Sequence, residues 1–169
     1  SWVTANCDST PPVLALPGAI TAEATSPSGA AVTYTATATD ETAPAQPVVT
    51  CAPASGSIFA LGTTTVNCSA TDAAGNQATG SFNVTVRDTT APTVGSMTNI
   101  AMEATGSGTV VSWINPTASD VVSGTLPSTC NPPSGSLFPV GTTIVTCSAT
   151  DNAGNTGHST FQVIISDTT

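Results

Sequence analysis

TCSATDNAGN, residues 146–155, is nearly a copy of NCSATDAAGN, residues 67–76. Each copy holds a cysteine, then an aspartate, then Gly-Asn. In the first copy a long strand is predicted over about 62–71, a hairpin at Asp72-Ala-Ala-Gly-Asn, and a last strand over about 79–87. In that last strand Phe82, Val84 and Val86 alternate with Asn83, Thr85 and Arg87, the period of a strand with one face in and one out. The hairpin is therefore the local signature of an all-β chain. The question is whether its aspartate only closes a turn or also holds something.

Working outward, the whole chain repeats. Cys51 and Cys68 recur as Cys130 and Cys147, each 79 residues on. SGSIFALGTTTVNCSATDAAGN matches SGSLFPVGTTIVTCSATDNAGN almost position for position. Upstream, Glu23 pairs with Glu103 and Asp40 with Asp120 at an interval of 80, which puts a single deletion between Asp120 and Cys130. A unit of about 80 residues is a domain rather than a solenoid repeat. The boundaries expected are residues 1–7 as an isolated N-terminal strand, 8–88 as domain one and 89–169 as domain two. Further strands are predicted in copy one at about 13–16, 19–24, 30–39, a segment ending near Cys51, and 57–59. Strands of this length with frequent turn signals indicate a β-sandwich.

Composition narrows the function. Charged residues are 7% of the 169, against roughly a quarter in ordinary soluble domains. Lysine is absent, Arg87 is the only arginine, and the net charge is -9. Nucleic-acid binding needs clustered Lys and Arg, so that class is excluded, and an anionic membrane surface is an equally poor partner. No apolar run approaches the ~20 residues of a membrane-spanning helix, so no membrane insertion is expected. No basic segment followed by an apolar stretch marks a signal peptide. About 30% of the residues are Ser or Thr, and hydrophobic residues reach 39%, which argues for a packed core rather than disorder. With Arg87 the one site for trypsin and no lysine, the chain suits a durable extracellular part.

The cysteine pairs carry a location. Cys51–Cys68 and Cys130–Cys147 recur at the same spacing, so disulfides with that connectivity are expected, each worth on the order of 3 kcal/mol in the chain-entropy model. They imply an oxidising compartment outside the cytoplasm. Two cysteines per copy without a repeated histidine cannot complete a zinc tetrahedron. Cys7 is the odd cysteine, a free thiol or an intermolecular bond. Its context SWVTANCD aligns with SFNVTVRD and TFQVIISD, with Trp2 opposite Phe82 and Phe161. Residues 1–7 thus read as the last strand of a preceding domain, or as a strand added to the sheet edge of a neighbouring copy. Head-to-tail contacts of the second kind give filaments.

Each copy resembles a hyalin repeat (HYR) module. The shared pattern is Asp-x-x-x-Pro, then Glu, Asp and Cys, then Pro-x-Ser-Gly-Ser-x-Phe-x-x-Gly-Thr-Thr-x-Val-x-Cys-x-Ala-Thr-Asp-x-x-Gly-Asn, closing on Phe-x-Val-x-Val-x-Asp; it covers about residues 8–167. The second copy departs slightly, its last strand reading FQVIISD. The resemblance implies two tandem immunoglobulin-like β-sandwich domains of an extracellular, often adhesive, multidomain protein without enzymatic activity.

Nine of the ten acids fall at repeat-equivalent positions; Glu41 is the exception. In an immunoglobulin-like topology Glu23 and Asp88 fall at the bottom of domain one, and Asp120, Asp151 and Asn155 at the top of domain two. Their convergence predicts an interdomain Ca²⁺ site, because carboxylates this close repel unless a cation sits among them. Carbonyls of Thr89-Thr90-Ala91 would complete the shell. Asp8, Asp40, Asp72 and Asn76 would form half of an equivalent site, and Glu103 with Asp167 another half. The competing reading is that Asp72 and Asp151 cap their hairpins while Gly75 and Gly154 supply positive φ.

Other chemistry is sparse. His158 aligns near Thr79 and stands as an isolated exposed residue. No Ser/His/Asp set clusters, and a glycosidase-like carboxylate pair would lack a deep cleft. Trp2 and Trp113 read as packing residues rather than sugar platforms. Without lysine no Lys–Asn isopeptide can form. Asn67-Cys-Ser and Asn83-Val-Thr fit the N-glycosylation sequon, with Asn83 facing solvent. The expected function is a non-enzymatic structural module, a rigid stalk, adhesion or filament subunit joined end to end to neighbouring domains or copies of itself. The alternative is a binding module presenting loops to a protein or glycan.

Overall fold

The computed structural model describes residues 8–41 and 46–168. The expectations for Cys7, Trp2 and the strand at 1–7 lie outside the described residues. The chain divides into two compact units, Ser1–Asp88 and Thr89–Thr169. Among the described residues every regular element is a strand.

In the first unit the strands are β1 (Val13–Ala15), β2 (Ile20–Glu23), β3 (Ala30–Ala31), β4 (Thr37–Thr39), β5 (Val48–Ala52), β6 (Ile58–Phe59), β7 (Gly62–Thr71) and β8 (Gln77–Arg87). The main sheet has the order β2-β8-β7-β5, with β1-β4 and β3-β6 as smaller pairs. The long hairpin β7–β8 carries it, with ten residue pairs from Gly62↔Val86 to Thr71↔Gln77. Alternation decides its faces: Val66, Cys68 and Ala70 of β7 and Phe82, Val84 and Val86 of β8 are buried. β2 joins β8 in parallel, Ile20↔Val84 to Glu23↔Arg87. The Leu16-Pro17-Gly18 break between β1 and β2 lets the first strand pair with β4 in one sheet and its continuation with β8 in the other. The disulfide Cys51–Cys68 ties the edge strand β5 to β7 at directly opposed positions.

The second unit repeats this plan with β9 (Thr93–Val94), β10 (Ile100–Glu103), β11 (Thr109–Val111), β12 (Ala118–Asp120), β13 (Gly124–Leu126), β14 (Thr129–Asn131), β15 (Ser136–Phe138), β16 (Gly141–Thr150) and β17 (Thr156–Ser166). Its main sheet is β10-β17-β16-β14, with Cys130–Cys147 joining β14 to β16. The core gathers Val94, Val111, Phe138, Val145, Phe161, Val163 and Ile165. Trp113 packs its ring edge-on to Phe161 at 5.1 Å, a packing residue as expected, and Tyr34 meets Phe82 the same way at 4.9 Å.

Two sequence expectations need correction. The strand predicted over 30–39 is split into β3 and β4. Between them Val32 bonds Ser57 and Gly56, and the Tyr34 N–H donates to Ser55 Oγ, so the chain bonds to a loop instead of a strand. The single deletion is also too simple. Tyr34 with Ser55 and Trp113 with Ser134 make the same contact at an interval of 79. By contrast, β1–β4 and β9–β12 pair residues at an interval of 80. The repeat therefore loses a residue before β11, regains it before β12 and loses it again before Cys130.

One near-identity breaks at a tight contact. Gly157 of β17 occupies the place of Ala78 in β8, opposite Ala149 as Ala78 is opposite Ala70. A Cβ built at Gly157 would lie 1.8 Å from the Pro92 carbonyl oxygen. Gly157→Ala should lower stability by about 1–3 kcal/mol through overpacking, whereas Ala78→Gly should cost under about 1 kcal/mol through backbone entropy alone. Urea denaturation midpoints of the two variants check the contrast.

Candidate metal centre

The turn that closes each long hairpin is built around its aspartate. Asp72 Oδ1 accepts from the N–H groups of Ala74 and Asn76 at 2.9 and 2.8 Å, and Oδ2 accepts from the Asn76 side-chain amide at 2.9 Å. Asp151 repeats this with Ala153, Asn155 and the Asn155 amide at 2.9, 2.8 and 2.9 Å. Gly75 and Gly154 take φ of 92° and 93°, a region a side chain would strain. The hairpin-capping role is thus present in both copies.

The same carboxylates also face others. One oxygen from each of Asp8, Asp40 and Asp72 lies within 4.8 Å of the other two, and Asp88, Asp120 and Asp151 form the equivalent group. Local bonds explain the convergence. The Asn76 amide bridges the turn to the start of the repeat, donating to the Asp8 carbonyl at 3.1 Å as well as to Asp72. Asp8 holds the Thr10 N–H at 3.0 Å. In the second repeat Asp120 Oδ1 accepts from Val122 and Ser123 at 2.8 and 2.6 Å. Ser123 Oγ in turn accepts from the Asn152 N–H at 3.1 Å, which draws the β12–β13 turn to the turn of Asp151. Asp88 and Asp151 are buried. Oδ2 of Asp40 and Oδ2 of Asp88 are buried oxygens that accept no hydrogen bond.

The remaining candidates are not members of either triad. Glu23 ends β2 in register with Arg87. Glu103, its equivalent, takes the Thr168 N–H on Oε1 at 2.7 Å and the Thr168 hydroxyl on Oε2 at 3.0 Å, so it clasps the chain after β17 beside Asp167. Asn76 and Asn155 present their amide nitrogens to the turn aspartates, as positioning donors. The Val122 and Ser123 donors escaped sequence reasoning; an Asp followed by a Ser-Gly turn is the faint signal that pointed to them. His158 is exposed opposite Ser148, where Thr79 stands opposite Ser69.

The family model for the HYR domain matches the chain twice, over residues 7–86 and 87–165. The chain belongs to the HYR domain family. Each match contains one whole aspartate triad, Asp8 to Asp72 in the first and Asp88 to Asp151 in the second. Hyalin of Strongylocentrotus purpuratus is 38% identical over 117 residues, which is 65% of this chain; the aligned stretch spans 10% of that much longer protein. Among solved structures, human protocadherin-24 EC1-2 covers 95% of this chain and is itself covered completely, at 16% identity and a TM-score of 0.40. Drosophila N-cadherin EC1-4 covers 94%, with 50% of its own length, at 12% and 0.39. HYR modules are extracellular or cell-surface domains of adhesion type and in general non-enzymatic, and this chain is two of them in tandem, each an immunoglobulin-like β-sandwich. No described helix is long and apolar enough to cross a membrane.

The turns also set an acid response. Burial pushes the Asp72 and Asp151 carboxyls up. Bonds from the Asn76 or Asn155 amide and from successive backbone N–H groups outweigh it and hold both below the ordinary value. A carboxyl lowered in the folded state stabilises the fold above its unfolded pKa, about 3.9, and that contribution is lost as pH falls through the folded value. Stability should therefore drop as pH is lowered below about 4. The double variant Asp72→Asn, Asp151→Asn should show a shallower acid dependence of its urea midpoint; an unchanged slope would place the sensitivity elsewhere.

Proposed function

We propose that the chain is a structural element of an extracellular adhesion or filament protein, in which each HYR module binds one Ca²⁺ at its aspartate triad. The carrying observation is that the triad forms twice, from the same three repeat positions, with oxygens within 4.8 Å in both cases. Three carboxylates so placed repel one another in the absence of a positive charge. The donors are hard oxygens only, which suits Ca²⁺ with its six to eight oxygen ligands and tolerant geometry. Against burial, hydrogen bonds hold the Asp72 and Asp151 carboxyls below the ordinary value, so both stay ionised further into acid than a free aspartate.

The ion would join three places far apart in sequence: the entry to the module, the end of β4 or β12, and the closing turn of the long hairpin. Such a cross-link stiffens the end of each sandwich, which is what a load-bearing tandem module requires. Attachment of further domains, or of further copies, at the ends is part of the same proposal; the tandem of two modules supports it.

The test is thermal unfolding in calcium and in EDTA. Calcium at a hundredfold excess over its Kd should stabilise a site by about 2.7 kcal/mol, raising Tm. Asp40→Asn and Asp120→Asn together should abolish the rise. A Tm that is the same in calcium and in EDTA overturns the proposal.

A further inference from the structure

The outer face of the β7–β8 hairpin holds a second kind of site. Its side chains are Thr63, Thr65 and Asn67 on β7, and Ser81, Asn83 and Thr85 on β8. Asn67 and Asn83 are both exposed. The register sets Thr65 opposite Asn83 and Asn67 opposite Ser81, so the two asparagines are diagonal neighbours on one face, about 7–8 Å apart by ordinary sheet geometry.

We infer that Asn83 carries an N-linked glycan that covers the outer face of the first module's main sheet. Four observations carry this. Asn83-Val84-Thr85 is an N-x-T sequon in a chain of an extracellular family. The strand period puts Asn83 and Thr85 on the solvent side and Val84 in the core. The Thr65 hydroxyl donates to Asn83 Oδ1 at 2.9 Å, which holds the carbonyl oxygen and leaves the amide nitrogen directed away from it. That bond survives glycosylation, because Oδ1 remains an acceptor. The neighbours on the face are small hydroxyl side chains, and Thr63 and Thr85 bond each other at 3.0 Å, so nothing bulky occludes a sugar.

The chemistry is transfer from a lipid-pyrophosphate-linked oligosaccharide. The Asn83 Nδ2–C1 bond forms, and the bond from C1 to the phosphate oxygen breaks. That oxygen keeps the electron pair, and the amide gives up one N–H proton. Asn67 is the weaker acceptor. Its sequon contains Cys68, committed to the disulfide with Cys51, and a glycan on Asn83 would crowd it. In the second module the two positions are Thr146 and Gln162, and neither begins a sequon. There Ile144, 62% exposed, replaces Thr65. Two modules with nearly the same hairpin thus present different outer faces, one sugar-covered and one bare.

The full chain, secreted from a host with N-glycosylation, tests this by intact mass before and after peptide-N-glycosidase. Treatment should remove the mass of one glycan and convert Asn83 to aspartate in the peptide map. Asn83→Gln and Thr85→Ala should each abolish the loss. The intact disulfides of both variants confirm that they fold. No loss of mass from the wild-type chain, or a glycan on Asn67 alone, overturns the inference.

Discussion

The closing turn of each long hairpin is the constraint on which the remaining structure depends. A five-residue Asp-x-x-Gly-Asn loop leaves several N–H groups without strand partners, and one carboxylate collects them. With the loop fixed, the register of ten residue pairs is fixed, and with it which side chains turn inward. A slip of β8 by one residue would turn Phe82, Val84 and Val86 outward together. The same register opposes Cys51 to Cys68 and Cys130 to Cys147, so the edge strand is locked to the hairpin by a covalent bond at a position the turn has chosen.

The turn aspartate is then used a second time. Its bonds to the loop aim the carboxylate, and local N–H donors hold one further aspartate of each triad, Asp8 in the first and Asp120 in the second. The triad is a by-product of three turns brought to one end of the sandwich. Turn cap and cation ligand are therefore compatible roles, because each carboxylate oxygen has two lone pairs.

What was legible in the sequence was local or repeated. The hairpin, its alternation, the disulfides and the Trp113 packing each rest on patterns within a few residues or on duplication. The split of β3 from β4 was not legible, because the intervening residues bond a loop and the hydroxyl of Ser55, more than twenty positions away. Strand-end reasoning grouped Asp88 with Glu23, since both lie at the end of the same pair of strands. It also grouped Asp88 with Asp120 and Asp151, and Asp8 with Asp40 and Asp72, the members of the two triads, but it did not reach the bonds between the turns, such as the Asn76 amide donating to the Asp8 carbonyl. The compensating length changes were hidden because they fall where the two copies share few residues.

On the proposed reading each module holds one cation through its own three aspartates. Isothermal titration of the calcium-stripped chain tests it most directly. Two ions per chain are expected, falling to one in Asp40→Asn and to one in Asp120→Asn. No heat of binding, or a stoichiometry that neither substitution changes, would contradict it.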